Sequence, residues 1–108
     1  MSRFVADLGN MTITSGQTAS TAVASCDDAD TIVVYAPATL TGTVTIQIEP
    51  TLTGTNFVDL QSGGTDVTIG AGNSTSITSV GFRQLRVSSN AAEGADRVFP
   101  VTKQFPVR

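Results

Sequence analysis

Hydrophobic and polar residues alternate most regularly between positions 43 and 60. Val44, Ile46 and Ile48 are separated by threonine and glutamine, and a period of two places the apolar side chains on one face of a strand. Pro50 ends this run because it has no N–H to donate to a ladder. A Thr-Gly-Thr-Asn turn and a second extended run, Phe57 to Leu60, follow it. The segment therefore predicts a β-hairpin with one apolar face.

The rest of the chain repeats this pattern in shorter runs, at a spacing of roughly 8–12 residues, and shows no helical period. Thr31 to Tyr35 is almost continuously apolar, which predicts a strand buried on both faces. Pro100 and Pro106 predict that the last run is an edge strand or an extended arm. Together the runs predict an all-β fold, a single antiparallel β-sandwich of about eight or nine short strands, with jelly-roll wiring as an open alternative.

The chain length suits one domain, because 108 residues can surround a single core. We expect one β-sandwich domain over residues 1–108, with short terminal arms at about 1–6 and 104–108. Apolar arms on a small domain are usually tied down, either to their own core or to a neighbouring subunit. In the second case the candidate subunit contacts are Arg3, Phe4, Val5, Phe99, Phe105 and Val107.

The composition of the chain argues against several kinds of partner and against an internal disulfide. Charged residues make up 14% of the chain, against about 25% in an average soluble protein, so the polar surface must consist largely of threonine and serine. The net charge is −3 and Lys103 is the single lysine, which predicts no binding to nucleic acid and none to a membrane through a basic face. No apolar run approaches the ~20 residues of a membrane-spanning helix, and the N-terminus lacks the apolar core of a signal peptide. The lone Cys26 cannot form an internal disulfide, which mildly favours an intracellular assembly site.

Candidate catalytic chemistry is sparse. The absence of histidine excludes triads with a histidine base and metal sites with histidine ligands. Glu49 and Glu93 are the two glutamates, and pairing either with an aspartate for glycoside hydrolysis needs a substrate cleft. Aromatic residues that line such clefts are scarce, since there is no tryptophan and Tyr35 falls in a strand predicted to be buried. The sequence therefore predicts a protein that is not an enzyme and uses no cofactor.

One acidic cluster is a weak calcium candidate. Asp27, Asp28 and Asp30 provide the carboxylates that hard cations prefer, but the loop lacks the glycine and the distal glutamate of an EF-hand. A solvated turn that protects the entry of a strand accounts for the same residues, and we favour it. No metal site is predicted.

The chain contains, in this order, VTIQIEP, TGTNFVDL, a Ser/Thr-rich strand, FRQLRVSSN and RVFPVTKQF. In this order of segments nearly the whole chain, from Met11 to Phe105, resembles the small β-sandwich virion proteins of tailed bacteriophages, in particular head decoration (cement) proteins. It implies a non-enzymatic structural protein on the capsid exterior, assembled in the host cytoplasm. The implied partners are the major capsid protein, whose mutual contacts it would stabilise, and further copies of itself in a homodimer or homotrimer.

The alternative is a phage tail or fibre module that binds a host surface glycan. Sugar-binding platforms usually stack their ligand on tryptophan or tyrosine, and this chain offers Tyr35 alone. The low aromatic content therefore favours the capsid hypothesis over the glycan hypothesis.

Overall fold

The computed structural model describes residues 3–24, 26, 29–50, 56–78 and 81–106. All regular structure in these ranges is β-structure, which confirms the predicted fold class. The described residues include no helix with the length and apolarity of a membrane span. The strands are β1 (Arg3–Ile13), β2 (Thr31–Tyr35), β3 (Val44–Glu49), β4 (Val58–Asp59), β5 (Gln61–Ser62), β6 (Thr65–Asp66), β7 (Thr68–Ile69), β8 (Ser74–Thr78), β9 (Gln84–Ser89) and β10 (Arg97–Pro106).

The strands form two antiparallel sheets and one small hairpin. The first sheet has the order β1-β10-β2-β8, and in the second β3 lies between β9 and the pair β4 and β7. Isolated bridges join Ala19 to Ser88 and Val23 to Leu85, so the segment Ala19–Val23 borders β9 on its other side. If β4 and β7 are counted as one strand and the segment Ala19–Val23 as another, each sheet has four members. The chain then crosses from one sheet to the other at nearly every connection. This is the wiring of a jelly roll.

The core lies between the two sheets and follows the period of two. On β3, Val44 and Ile46 are fully buried, as predicted from the alternation. The alternation fails at the end of the strand, where Ile48 is only partly buried and Glu49, predicted on the polar face, is fully buried. The strand ends at Glu49, before Pro50, and its last residues pair with β4, so the predicted hairpin is confirmed. The other strands that contribute fully buried apolar residues are β1, β2, β9 and β10.

The expectation that β2 is buried on both faces is wrong. Ile32 and Val34 are fully buried, whereas Val33 is only partly buried and Tyr35 is 42% exposed. β2 belongs to one layer of a two-layer sandwich, so only its inner face meets the core. Apolar content on the outer face of β2 made a one-sided strand look two-sided.

The expectation that the proline-containing last run is an edge strand is also wrong. β10 lies between β1 and β2 and is an interior strand of the first sheet. Its pairing with β2 covers only Val101–Gln104, and Pro100 and Pro106 lie on either side of that stretch. The missing proline N–H groups therefore fall outside the segment that is paired on both sides.

The described parts of the two predicted arms pair with each other. Arg3 to Ala6 oppose Pro106 to Lys103 in a continuous antiparallel register, and residues 105 and 106 have no partner in β2. We call residues 3–6 and 103–106 the terminal ribbon. It extends one end of the first sheet, and the molecule has principal extents of 44 × 27 × 26 Å.

Candidate assembly surface

The outer edge of β8 is the least protected sheet edge among the described residues. β8 pairs with β2 on one side, and no described strand pairs with its other side. Its sequence, Ser-Thr-Ser-Ile-Thr, contains neither a charge nor a proline. Ser74, Ser76 and Thr78 are exposed and Ile77 points into the core. Unpaired N–H and C=O groups along such an edge are a template for a further strand.

The outer edge of β1 is modified along its length. The register shifts between Asp7 and Gly9, where Gly9 has a φ of 124°, and this β-bulge bends the strand. Further along, Thr21 donates its amide to the Thr12 carbonyl at 3.0 Å, and the Thr12 amide donates to Thr21 Oγ1 at 3.0 Å. The bulge, the charged side chain of Asp7 and the segment that includes Thr21 thus protect an edge that would otherwise be open.

The outer edge of the second sheet is interrupted by the β5–β6 hairpin, which lies between β4 and β7. The hairpin turns at Gly63 and Gly64, both with positive φ, as a tight two-residue turn requires. Between the base of this hairpin and β8 lies a partly open cavity of about 180 Å³, floored by Leu60, Val67 and Ile77. The two sheets are therefore separated by a partly open gap on the side that carries β8.

Exposed apolar side chains concentrate on the outer face of the first sheet. Val5 is 64% exposed, Tyr35 42% and Val98 41%, and Tyr35 and Val98 directly adjoin the core residues Val34 and Phe99. Val58, at 56%, lies on the other sheet. Large exposed apolar residues on a small domain are a feature of contact surfaces when they cluster.

Glu93 is buried in the loop before β10 and is surrounded by donors. Its Oε1 accepts from the Thr41 amide at 2.8 Å and from Arg97 Nε at 2.9 Å. Its Oε2 accepts from the Ser89 hydroxyl at 2.7 Å and from the Gly42 amide at 3.0 Å. Burial by itself raises the pKa of this carboxyl, but the hydrogen bonds outweigh burial and lower the pKa from 4.5 to about 2. Glu93 is therefore an ionised structural link between β9, β10 and the loop before β3.

The close approach of this loop requires a glycine. A Cβ placed at Gly42 would clash with Ser89 Oγ and Asn90 Oδ1 and would lie 2.9 Å from the Ala91 backbone nitrogen. Gly42 therefore lets the loop come near enough for its amide to reach the carboxylate.

Glu49 is the second buried carboxylate. Its Oε2 accepts from the Asn56 amide at 2.6 Å and its Oε1 from Gln84 Nε2 at 2.9 Å. Neither glutamate lies in a cleft beside a second carboxylate, and every buried side-chain polar atom in the described part of the chain has a hydrogen-bond partner. These glutamates hold loops in place. Their burial was not expected, because the alternation places Glu49 on the polar face of its strand and Glu93 lies in a polar loop.

Arg86 lies on the outer face of the second sheet. Its Nε donates to Gln47 Oε1 at 2.7 Å, Gln47 Nε2 donates to Asp59 Oδ1 at 2.9 Å, and the guanidinium stacks 4.3 Å from the centre of the Phe57 ring. This chain of contacts joins β9, β3 and β4 across the sheet. These contacts stabilise the outer face of the second sheet, and they hold the Arg86 side chain against residues of its own sheet.

The six candidate contact residues are distributed unequally. The backbones of Arg3 and Phe4 belong to the terminal ribbon, as does Val5, whose side chain is exposed. Phe105 is partly buried, and Lys103 Nζ lies 5.6 Å from the centre of its ring. Phe99 is fully buried in the core of its own chain, so its side chain packs inside the sandwich. Val107 lies outside the described residues.

The calcium hypothesis stays a prediction. Asp27 and Asp28 lie outside the described residues, and the Asp30 amide donates to the Gln104 carbonyl at 2.9 Å. In the part of the chain that the structure describes, no group of three or more histidine, cysteine, aspartate and glutamate side chains could hold a metal ion.

Cys26 is fully buried. Its Sγ donates to the Val23 carbonyl over 3.8 Å, a weak contact typical of a thiol packed in a core. The thiol therefore has no surface to offer to another chain in this conformation.

These features define an all-β jelly-roll domain whose distinguishing surface is an uncovered sheet edge. Residues 21–105 match the family model described as endospore appendages (Enas). Because this match spans most of the 108 residues, the chain belongs to the endospore appendage family.

A solved structure from Bacillus has a similar fold. It is described as "Bacillus endospore appendages form a novel family of disulfide-linked pili" and superposes with a TM-score of 0.55 at 20% sequence identity, covering 99% of this chain and 90% of that chain. At this identity the likeness shows the shared fold. No curated protein matches the chain.

The family match corrects the functional expectations drawn from the sequence. The resemblance to phage head decoration proteins is wrong, and with it the capsid-stabilising function, the alternative of a glycan-binding tail or fibre module, the major capsid protein as partner, the closed homodimer or homotrimer on a capsid and the virion location. Runs of threonine-rich alternation with glycine turns specify a two-sheet sandwich, and unrelated assemblies use that fold. The resemblance lay in the pattern of strands, so the fold that it implied is correct, whereas the function, the capsid partner and the location that it implied are wrong.

Proposed function

We propose that this chain is a self-associating structural subunit of an appendage on the spore surface, and that it is not an enzyme. Two observations support the proposal. The family to which the chain belongs is that of endospore appendages, and the described residues expose one sheet edge with none of the usual protections. The solved relative comes from disulfide-linked pili, which supports a fibrous assembly here.

The contact would be made through main-chain hydrogen bonds. A strand from a second copy that pairs with the outer side of β8 would extend the first sheet across the boundary between subunits. If the two contacting surfaces of a subunit differ and the rotation between neighbouring copies does not close a ring, the same contact repeats and the product is a filament. Hydroxyl groups on Ser74, Ser76 and Thr78 add hydrogen bonds without the cost of desolvating charges.

The terminal ribbon would provide a second contact. Its outer end, where Arg3 and Phe4 pair with Pro106 and Phe105, extends beyond the last residue pair of β2, and Val5 presents an apolar side chain to solvent. We therefore retain Arg3, Phe4, Val5 and Phe105 as proposed subunit contacts.

The non-enzymatic role fits the state of the carboxylates. Glu93 and Glu49 each accept hydrogen bonds from several donors inside the domain, so neither is placed to exchange protons with a substrate. General acid–base catalysis needs a group within reach of substrate and with a pKa near the working pH, and the pKa of Glu93, about 2, is far below it.

The test is assembly of the purified chain with an altered β8 edge. The parent is expected to form fibres visible by negative-stain electron microscopy and a fast-sedimenting fraction. Ser76→Lys places a charge on the exposed edge and should weaken each contact about tenfold, about 1.4 kcal/mol, because lysine at an edge opposes strand addition.

Ser15→Lys is the matched control. Ser15 lies in an exposed turn that follows β1, and the same change of residue and charge there should leave assembly intact. A parent chain that stays monomeric at high concentration would contradict the proposed function. Equal loss of assembly in both variants would point to net charge and away from β8.

A further inference from the structure

We propose that the β5–β6 hairpin is an edge guard: an insertion in the outer strand of the second sheet that stops another chain from adding a strand there. The claim about the second sheet stands on the fold alone. Its counterpart, that strand addition is thereby confined to β8, rests on the proposed function.

The hairpin is an insertion into one continuous strand. In an antiparallel pair, a residue exchanges both of its backbone hydrogen bonds with one opposite residue. Here Ile46 donates its N–H to the Val67 carbonyl at 2.9 Å and accepts at its own carbonyl from the Leu60 amide at 2.9 Å. The Val67 amide closes the base by donating to the Leu60 carbonyl at 2.8 Å. Leu60 and Val67 thus share the place of a single residue.

Without the insertion the edge would be regular, and of its outward backbone polar groups in the described residues the Thr68 carbonyl is the one with a partner, since it accepts from Thr75 Oγ1 at 3.5 Å. The flanking pairs are Ile48 with Val58 and Gln47 with Asp59 on one side of the insertion, and Thr45 with Thr68 and Val44 with Ile69 on the other. One residue opposite Ile46 would join them into five consecutive pairs. The resulting strand, Val58-Asp59-Leu60-Thr68-Ile69, would carry one charge and an exposed valine, and such an edge invites pairing.

The hairpin contributes little to the core. Residues 61–66 are all exposed, and a Cβ at Gly63 or Gly64 would meet nothing within 4 Å, so the tip extends into open space. Its backbone bonds are made between β5 and β6, and the Gln61 amide group donates to the Asp66 carboxylate at 2.9 Å. A solvent-exposed element that buries no apolar side chain of its own is not explained by stability.

The other described edges show the same principle by different means. β1 carries a bulge and a carboxylate, and Ala19–Val23 lies along the free side of β9. β8 has neither a bulge, a charge nor a cover. The hairpin therefore completes a pattern in which β8 and the terminal ribbon are the described edges left available to a second copy.

The direct test deletes the guard. Removing residues 61–67 joins Leu60 to Thr68 and restores the five-pair strand opposite β3. The deletion is made in Ser76→Lys, the parent of this experiment, because assembly through β8 would otherwise mask its effect. We expect the variant to keep its far-ultraviolet circular dichroism and to gain association, with a weight-average mass by sedimentation at least about twice that of this parent at equal concentration. Adding Thr68→Lys to the deletion should return the mass to that of the parent, because lysine blocks the freed edge.

The control keeps the hairpin and changes its surface. Gln61→Thr with Asp66→Thr removes the side-chain pair at the base but leaves the backbone in place, and it should associate as the parent does. A folded deletion variant whose mass equals that of the parent would overturn the edge guard. So would a folded deletion variant that loses assembly, since the hairpin would then itself be a contact.

A second measurement decides the matter if the deletion variant does not fold. In full-length chains carrying Cys26→Ala, a single cysteine is placed at Thr68 or at Ser76 and labelled with maleimide-benzophenone, which crosslinks any chain in reach on illumination. The edge guard predicts at least tenfold less intermolecular crosslinking from position 68 than from position 76. Equal crosslinking overturns it. Absence of crosslinks at both positions would contradict assembly through β8 and overturn the claim that the hairpin confines strand addition to that edge.

Discussion

At the scale of single residues, the chemistry that matters most is the burial of Glu93. A carboxylate removed from water is costly unless donors replace the lost hydration, and this one is met by two backbone amides, a hydroxyl and a guanidinium. The same four groups come from three separate parts of the chain. Glu93 therefore links these parts of the chain, and its negative charge strengthens the hydrogen bonds that hold them together.

Replacing this carboxylate should change both stability and its dependence on pH. Since the pKa of Glu93 is lowered from 4.5 to about 2, its contribution is complete above pH 4.5 and is lost as the pH falls towards 2. By linkage the contribution is about 3 kcal/mol. Glu93→Gln should therefore lower the free energy of unfolding at pH 7 by about 2–4 kcal/mol and flatten the acid limb between pH 4.5 and 2, as measured by urea unfolding at a series of pH values.

Asp66→Asn is the control for this experiment. Asp66 is exposed in the hairpin, so its replacement should change the free energy of unfolding by no more than about 0.5 kcal/mol. An acid limb that is the same in Glu93→Gln and in the parent would show that other carboxyls cause the loss of stability.

At the scale of the elements, the sheet edges differ more than the sheet interiors do. Interior strands follow a simple alternation of buried and exposed residues, whereas the edges carry a bulge, an inserted hairpin, a bridging segment and one bare strand. Assembly through main-chain hydrogen bonds depends on those edges. The terminal ribbon is the further element whose outer parts have partners on one side alone.

Deleting residues 1–6 should separate folding from assembly. The deletion removes the ribbon pairs of Arg3 to Ala6 but leaves the core residues Met11 and Ile13 in place. We expect a folded domain that loses about 1–2 kcal/mol of stability and assembles less well, measured by thermal unfolding and by fibre yield.

Val5→Thr separates the side chain from the backbone. It removes the exposed apolar group and keeps the shape of the residue, so stability should stay within about 0.5 kcal/mol of the parent while fibre yield falls. Global unfolding on deletion of residues 1–6 would place the ribbon in the folding core and contradict its proposed role as a contact.

At the scale of the whole molecule, the number of cysteines limits how copies can be joined. A disulfide uses one thiol from each partner, and these 108 residues contain one cysteine, which is buried. Disulfides among such chains can link them in pairs at most and cannot run the length of a fibre. Contacts between these units would therefore be held mainly by hydrogen bonds and apolar packing.

Assembly of this chain should accordingly be indifferent to reduction. Fibre yield with and without excess dithiothreitol should agree, and Cys26→Ala should assemble like the parent, with a loss of about 1 kcal/mol in monomer stability from the missing sulfur. Non-reducing electrophoresis of the fibres should show monomer alone. Covalent dimers at high yield, or fibres that dissolve on reduction, would show that Cys26 becomes exposed and links two chains.

Several properties followed from the sequence by itself because they depend on local pattern. The alternation in Val44 to Glu49, the stop at Pro50 and the glycine turns specify strands and their ends, and strands without helices specify an all-β sandwich. The β5–β6 hairpin was not predicted, although Gly63 and Gly64 between two short polar runs are a local signal for the two-residue turn that forms there.

Tertiary structure alone decided which of these strands lie at an edge and which residues lie inside. Glu93 and the Thr41 amide it binds are 52 residues apart, so no local pattern could announce that the carboxylate is buried. The interior position of β10 depends on the length over which it pairs with β2. Leu60 and Val67 both form backbone hydrogen bonds with Ile46 because the chain between them leaves the sheet as a hairpin. Pairing brings distant segments together, and it therefore controls the sheet edges on which assembly depends.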